Sequence, residues 1–165
     1  MKLYHGSNLI VDLPKLIEQK RALDFGSGFY TTTNKKQAID FSLKVVKRAE
    51  KFNLEVGKRV VSIYEFDETV AKDKLNILNF AAHNENWLNF VLENRQGRYT
   101  SNDYDLVVGA VANDDVFSTL IAYENGILSF ENCLASLKIK ELFDQYVFKT
   151  EKALSFLKFI GKLEL

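Results

Sequence analysis

The chain has 165 residues, of which 47% are apolar and 13% aromatic, which excludes a disordered protein and predicts a single folded domain over residues 1–165. Its 22 basic and 22 acidic residues give a formal net charge of +0, which disfavours a broad nucleic-acid or acidic-lipid surface. One cysteine and two histidines argue against a metal site, and the lack of a signal-like or membrane-length apolar run predicts a cytoplasmic protein without a membrane partner.

The first predicted elements are two short strands joined by a long loop. An apolar strand at Leu3–Tyr4 ends in the turn His5-Gly6-Ser7. Residues 8–25 lack a clean period, which predicts an irregular loop with a helical turn near Lys15–Gln19. The glycines of Phe25-Gly26-Ser27-Gly28 predict a turn before a second strand, Phe29-Tyr30-Thr31-Thr32. We therefore expect the imidazole of His5 and the phenol of Tyr30 to share one pocket.

The rest of the chain mixes helical and strand periods. Asn34 is a good N-cap for a helix in which Ala38, Phe41, Val45 and Ala49 share one face. The later predicted elements are a strand at Arg59–Phe66, a helix at Asn86–Arg95 with Trp87, Phe90 and Val91 facing the core, a strand at Tyr104–Ala110, helices at Asp114–Tyr123 and Glu131–Lys140, a strand at Gln145–Phe148, and a last helix from the cap Thr150 to about Gly161. Short strands interrupted by helices, without a βαβ repeat, predict an α+β fold.

The order of the N-terminal motifs carries a resemblance to a known superfamily. Tyr4-His5-Gly6-Ser7, then Phe25-Gly26-Ser27-Gly28-Phe29-Tyr30, then a helix at Lys35–Phe41 resembles the NAD-binding half of the ADP-ribosyltransferases. The likeness is to the His-Tyr-Glu branch, which includes diphtheria-type toxins and poly(ADP-ribose) polymerases. The whole chain is similar to a family of small, uncharacterised bacterial proteins in that superfamily. The resemblance implies a split β-sandwich with flanking helices.

The resemblance also implies roles for the N-terminal residues. His5 would hydrogen-bond the adenosine-side ribose of NAD, and Gly6 would offer backbone hydrogen bonds to the nicotinamide carboxamide. Ser7 lies where members of the superfamily hydrogen-bond the same amide. Tyr30 would stack on the nicotinamide ring, an interaction of about 1 kcal/mol beyond area burial. Thr31 is a further candidate, although it and its neighbour Thr32 point to opposite faces of the strand, so at most one of them faces the ligand.

The third motif departs from the superfamily. The position that matches its glutamate is Gln145, so the implied catalytic set is His5, Tyr30 and Gln145. Glutamine keeps a hydrogen bond to the ribose but loses the negative charge, and the loss of one such group costs about 10²–10³ in rate. The neighbouring Asp144 is a poor substitute because one step along a strand reverses the side chain, and Asp114-Asp115 fits a helix N-terminus better.

Two basic residues are candidates for the pyrophosphate of NAD. They are Arg21 and Arg95, and each also fits a solvated surface charge. Without the resemblance, His5 fits an ordinary strand-end histidine and Tyr30 an ordinary core aromatic. It is the order and combination of the motifs that favours NAD.

The function implied is therefore mono-ADP-ribosyl transfer from NAD to a macromolecule, with nicotinamide released and no metal needed. The resemblance and the small size imply a bacterial toxin or defence effector, with a cognate antitoxin as a candidate partner. The acceptor is left open between protein and nucleic acid. One alternative is an NAD glycohydrolase. Another is a catalytically silent module that binds ADP-ribose, NAD or a partner protein, and Gln145 favours it.

Overall fold

A computed structural model describes residues 1–17, 23–82, 84–101, 103–111, 114–138 and 143–165, without the side chains of residues 114–117 and 137–138. The described part is a mixed α+β fold with two small sheets. In chain order its elements are β1 Lys2–Ser7, β2 Phe29–Thr31, α1 Lys35–Lys51, β3 Val60–Phe66, α2 Glu68–Lys74, β4 Ile77–Asn79, α3 Glu85–Arg95, β5 Leu106–Ala110, α4 Asp114–Glu124, α5 Phe130–Lys138, β6 Asp144–Phe148, α6 Glu151–Leu154 and β7 Leu157–Glu164.

The strands form a three-stranded and a four-stranded sheet. The first sheet has the order β1-β3-β7, and all its pairs are antiparallel. The second sheet has the order β2-β6-β5-β4, in which only the β4–β5 pair is parallel. One isolated bridge, between Tyr4 and Thr32, joins β1 to the residue after β2. Among the described residues, this backbone bridge between the two sheets therefore lies in the neighbourhood of the predicted motifs.

The second sheet is buried on both faces. On one face of the second sheet, Phe29 and Phe148 pack in a core that also includes Leu3 and Tyr64 of the first sheet. Its opposite side, which includes Val147, packs against α3 and the loop before β2. Successive side chains of a strand point to opposite faces, so neighbouring residues of β2 enter different cores.

Helix α1 begins where the sequence predicts. The Asn34 side chain accepts a hydrogen bond from the backbone N–H three residues later, at 3.0 Å, and so caps the helix. The predicted buried face is wrong at Phe41, which is 47% exposed. The buried positions include Ala38 and Ala49, both small. The helix lies close to β1, and this leaves no space for a large ring between them.

Most predicted elements between residues 59 and 148 are confirmed to within two residues. The predicted core residues Trp87, Phe90 and Val91 are buried. The last two residues of the predicted helix Glu131–Lys140 lie outside the described residues, as do the last two of the predicted turn at Lys15–Gln19. The rest of that turn is not helical.

Three parts of the sequence interpretation are wrong. The His5-Gly6-Ser7 segment is not a turn but the end of β1, paired with β3. Thr150 caps a helix as predicted, but α6 ends at Leu154, and Leu157–Glu164 forms a strand instead. In that strand partly buried and exposed residues alternate, which is the period of a strand and not of a helix. Helix α2 and strand β4 were not predicted.

Gly6 is the point at which β1 and α1 meet. A Cβ at this position would lie 2.0 Å from the carbonyl oxygen of Ala38 and 3.0 Å from the backbone nitrogen of Ser42. Neither backbone atom can turn aside as a flexible side chain would. Glycine at position 6 is therefore required for the helix to lie on the strand.

Substitution of Gly6 by alanine tests this contact. We expect Gly6→Ala to lower the free energy of unfolding by about 3 kcal/mol or more, because a backbone clash forces α1 away from β1. The control is Gly126→Ala, where φ is +72° but nothing lies within 4 Å of the added Cβ. That change should cost only about 1 kcal/mol from backbone strain. Urea unfolding measures both, and equal losses would contradict the close packing.

Candidate functional site

The candidate site begins where β1 separates from β2. Tyr4 and Thr32 exchange both backbone hydrogen bonds, at 2.9 and 3.0 Å. If the antiparallel register continued, Gly6 would pair with Tyr30 two residues further on. Instead, the Nδ1 of His5 hydrogen-bonds the backbone oxygen of Tyr30 at 2.7 Å. The imidazole therefore takes the place of the next ladder hydrogen bond.

The separation leaves the strand edge at Gly6 unpaired with β2, although Gly6 itself is buried, and we call this unpaired stretch the open edge. In an antiparallel pair, alternate residues direct both backbone polar groups to the same edge. The groups of Tyr4 point away from β3, toward Thr32, so those of Gly6 point to that edge as well. No hydrogen bond joins them to Thr32, and Tyr30 is held by His5. One N–H donor and one C=O acceptor thus lie side by side at this edge.

The partners of His5 fix its tautomer. A backbone oxygen only accepts, so the Nδ1 of His5 carries the proton that it donates to Tyr30. Burial lowers the pKa of His5 below its ordinary value of 6.5, against the opposing effect of the Tyr30 hydrogen bond. The ring also stacks on Phe29, with 4.4 Å between ring centroids. The neutral imidazole therefore presents an acceptor at Nε2, which suits a hydroxyl group.

Tyr30 is built into the loop before its own strand. Its hydroxyl donates to the backbone oxygen of Gly26 at 2.7 Å and accepts from the backbone N–H of Phe25 at 3.2 Å. Burial and the nearby charge of Asp24 raise the pKa of the Tyr30 hydroxyl above its ordinary value. The phenol is therefore a neutral structural clamp on the Phe25-Gly26 turn.

The expected shared pocket of the two rings is wrong. The Tyr30 ring packs with the core on the Val147 side of the second sheet, whereas His5 stacks on Phe29, which lies on the other side. Neighbouring residues of a strand face opposite ways, so β2 itself stands between the rings. The Tyr30 backbone oxygen at the strand edge connects them.

A buried cluster of three polar side chains lies on the Tyr30 side. The Oδ1 of Asp24 contacts the Nε of Arg95 at 2.6 Å and its terminal nitrogen at 2.5 Å. The Nε2 of Gln145 donates to the Oδ2 of Asp24 at 3.4 Å and to the backbone oxygen of Ala110 at 3.2 Å. Asp24 is 6% exposed and Gln145 is 5% exposed. The cluster ties the loop before β2 to α3 and β6.

This cluster contains a residue that sequence reasoning missed. Asp24 belongs to the segment Asp24-Phe25-Gly26, but nothing in its local pattern pairs it with Gln145, which is 121 positions away. Gln145 itself is the second residue of β6 and lies on the same face of the sheet as Tyr30. Arg95 bonds to Asp24 in this structure, and its role toward a pyrophosphate stays a prediction.

The other predicted site residues have separate places. Ser7 ends β1 opposite Val60, so its side chain follows that of His5 on one face of the strand. The buried hydroxyl of Thr31 donates to the backbone oxygen of Tyr146 at 3.1 Å. Arg21 lies outside the described residues. The two remaining carboxylate candidates, Asp114-Asp115, have side chains that are not described.

Asp144 is committed to the chain entering α1. Its Oδ1 accepts from the hydroxyl of Thr32 at 2.7 Å and from the backbone N–H of Thr33 at 2.9 Å, and its Oδ2 accepts from the Thr33 hydroxyl. It does not contribute to the buried Asp24–Gln145 cluster, which agrees with the predicted reversal of side chains between neighbouring residues.

Two open cavities among the described residues lie away from the His5–Gly6 edge. One of about 410 Å³ lies between α2 and β5 and is lined by residues that include Glu68, Lys72, Val108 and Tyr146. A smaller one of about 190 Å³ lies beside Ala110 and Asp144. Within the described ranges, no three His, Cys, Asp or Glu side chains form a group that could hold a metal ion. No helix among the same residues is long and apolar enough to span a bilayer.

The buried neutral His5 makes stability depend on pH. Its pKa is lowered in the folded state, so below pH 6.5 the unfolded chain binds the additional proton and folding loses stability. We expect the unfolding free energy of the wild type to fall faster between pH 7.5 and 5.5 than that of His5→Asn, by up to about 1.4 kcal/mol per pH unit. Urea unfolding at several pH values measures the difference, and parallel slopes would contradict it.

The clamp of Tyr30 on its loop is tested by removing the hydroxyl. Tyr30→Phe leaves the Gly26 oxygen and the Phe25 N–H without this partner, so we expect a loss of about 1–3 kcal/mol in unfolding free energy. Tyr123→Phe is the matched control, since within the described residues the contact of Tyr123 is with the Phe130 ring. That change should stay within about 0.5 kcal/mol of the wild type. A similarly small loss for Tyr30→Phe would disprove the clamp.

Comparison with known proteins gives one match. A family model described as a protein of unknown function, DUF3990, matches residues 1–159. Neither the curated proteins nor the solved structures contain a match. The match includes both strands of the open edge and the Asp24–Arg95–Gln145 cluster. The chain therefore belongs to the DUF3990 family.

Proposed function

We propose that the chain is an NAD-binding mono-ADP-ribosyltransferase whose ligand lies along the open edge at Gly6. The observation that carries the proposal is the separation of β1 from β2 by the His5–Tyr30 hydrogen bond. This separation leaves the backbone N–H and C=O of Gly6 beside the Nε2 acceptor of His5. We further propose that the two sheets form the split β-sandwich of the ADP-ribosyltransferases, with NAD at the split.

The chemistry of this edge fits the two ends of NAD. A carboxamide presents one N–H and one C=O side by side, which complements the N–H and C=O that Gly6 turns outward. A ribose hydroxyl donates a hydrogen bond, which complements the acceptor at the Nε2 of His5. The same imidazole keeps the edge open through its other nitrogen. One side chain thus both prepares the site and recognises the ligand.

The transfer breaks the bond between the nicotinamide nitrogen and C1′ of its ribose. Both electrons of that bond leave with nicotinamide, which changes from a cation to a neutral molecule. C1′ gains oxocarbenium character and then bonds to a lone pair of the acceptor, whose proton goes to solvent. The protein has to hold the dinucleotide and stabilise positive charge on the ribose, and it needs no metal for this. In the proposal, His5, Gly6 and Tyr30 hold NAD, and Gln145 meets the reacting ribose.

Calorimetry with NAD tests the proposal. We expect the wild type to bind NAD, and we expect His5→Asn to lose about tenfold in affinity, or ~1.4 kcal/mol. Asparagine can still donate to the Tyr30 oxygen, so this variant removes the Nε2 acceptor while it preserves the open edge. Tyr123→Phe on α4 is the control for folded protein with an intact site. The absence of heat at millimolar NAD for the wild type would end the proposal.

A second candidate is a silent module that binds ADP-ribose or NAD without transfer. The neutral, buried Gln145 favours it, because no formal negative charge is placed at that position. Release of nicotinamide from NAD distinguishes the two candidates. Binding of NAD and ADP-ribose without any release would favour the module, and release into water without an acceptor would favour an NAD glycohydrolase.

The biological setting is also a proposal. A small bacterial enzyme of this kind would act in the cytoplasm as a toxin or defence effector, with a protein or nucleic acid as the acceptor. A cognate antitoxin would then cover the open edge. The balanced charge of the chain favours a protein acceptor over a long nucleic-acid surface.

A further inference from the structure

We infer that Asp24 is a positioning residue for Gln145, so that the two side chains act together as one acceptor for the reacting ribose. The inference rests on the proposed function and names how the same site supplies its negative charge. The carboxylate lies one hydrogen bond behind the amide instead of on the ligand-facing residue. Three observations on the cluster carry this assignment.

The first observation fixes the orientation of the Gln145 amide. Its two partners, the Oδ2 of Asp24 and the backbone oxygen of Ala110, are both hydrogen-bond acceptors. Only the NH₂ group can face them, so the amide oxygen Oε1 must point elsewhere. Within the described residues no hydrogen bond to Oε1 is present. Gln145 thus has an acceptor with no partner among the described residues, and although the residue as a whole is 5% exposed, Oε1 itself is not sealed from solvent.

The second observation places charge behind that acceptor. Two nitrogens of Arg95 contact the Oδ1 of Asp24, and the Oδ2 of Asp24 accepts the hydrogen bond from Gln145. A carboxylate that accepts from one end of an amide polarises it and increases the negative charge on the oxygen at the other end. Burial reduces screening by water, so this polarisation is stronger than it would be at the surface. The ion pair with Arg95 offsets part of the carboxylate charge, so what Oε1 gains is a part, and not the whole, of the negative charge of a carboxylate oxygen.

The third observation is that the hydrogen-bond partners of residue 145 suit glutamine and not glutamate. Glutamate at position 145 would set a second carboxylate against Asp24 and against the Ala110 oxygen, where only a donor fits. Two carboxylates at this separation cannot both stay ionised without a large cost. We therefore do not interpret Gln145 as a glutamate that has lost its function. The negative charge of the pair lies on Asp24.

Moving the carboxylate within the pair tests the inference. The exchange variant Asp24→Asn/Gln145→Glu keeps one carboxylate, one amide and the total charge. Because the new carboxylate still faces the Ala110 oxygen, we expect a partial rescue: the exchange variant should consume NAD at least threefold faster than Gln145→Glu alone, which should lose tenfold or more in kcat. Asp24→Asn alone should lose about 10²-fold in kcat, with the Kd for NAD within about threefold of the wild type.

A structural control separates positioning from folding. Asp105 is also a hydrogen-bonded carboxylate, which accepts from the Thr150 hydroxyl at 2.7 Å and from the backbone N–H of Asn76 at 3.0 Å. Asp105→Asn should lower the unfolding temperature without changing kcat well below that temperature. Asp24→Asn also removes the ion pair with the partly buried Arg95, so it should lose stability as well as kcat. Rescue of kcat by the exchange variant is the result that a purely structural role would not give.

Each outcome decides between the two proposals. If wild type binds and consumes NAD and the exchange variant stays as slow as Gln145→Glu, or does not fold, the positioning role is wrong and the proposed function stands. If wild type binds NAD but does not release nicotinamide, the pair has no catalytic role. If calorimetry shows no NAD binding, the proposed function fails first, and the failure is visible before any variant is compared.

Discussion

The hydrogen bond between the His5 imidazole and the Tyr30 backbone oxygen is the constraint on which the candidate site depends. Without it, the ladder begun by Tyr4 and Thr32 would continue to Gly6, and the edge would be closed by backbone hydrogen bonds. The same contact fixes the tautomer of His5 and, with burial, keeps the ring neutral. This one interaction therefore keeps β1 and β2 apart, leaves the Nε2 of His5 as a hydrogen-bond acceptor and makes the stability of the fold depend on pH. The site also requires Gly6, since only glycine lets α1 pack directly against β1 at the open edge.

The Asp24–Arg95–Gln145 cluster makes the two faces of the second sheet chemically different. On the side shared with the first sheet, the buried residues of β2 and β6 are mainly aromatic. On the other side an ion pair and an amide join the loop, α3 and β6. A buried ion pair is weak evidence for stability, because desolvation offsets most of the attraction. In the proposed function, the place of this ion pair beside the Gln145 amide gives it a chemical role.

Local sequence patterns predicted the elements that have strong local signals. The Asn34 cap, the β-branched run of β3 and the apolar face of α3 were all visible in short windows. The C-terminal strand was mistaken for a helix because the cap at Thr150 is real and the alternation that follows it is short. The site could be predicted only in part. His5, Tyr30 and Gln145 were found through motif order, but their contacts are hydrogen bonds to residues 25 and 121 positions away, and no local pattern contains them.

The two sides of β2 place a geometric demand on any dinucleotide that binds here. Groups on the His5 side and on the Gln145 side are separated by the strand itself, so one ligand reaches both only by crossing its free edge beside Gly6. A bent NAD has this form, with its nicotinamide ribose and adenosine ribose on different arms. A flat or extended ligand would contact one side only. Under the proposed function, the separation of the two rings therefore requires a ligand that crosses the strand edge, as a folded NAD would and as adenosine or nicotinamide alone would not.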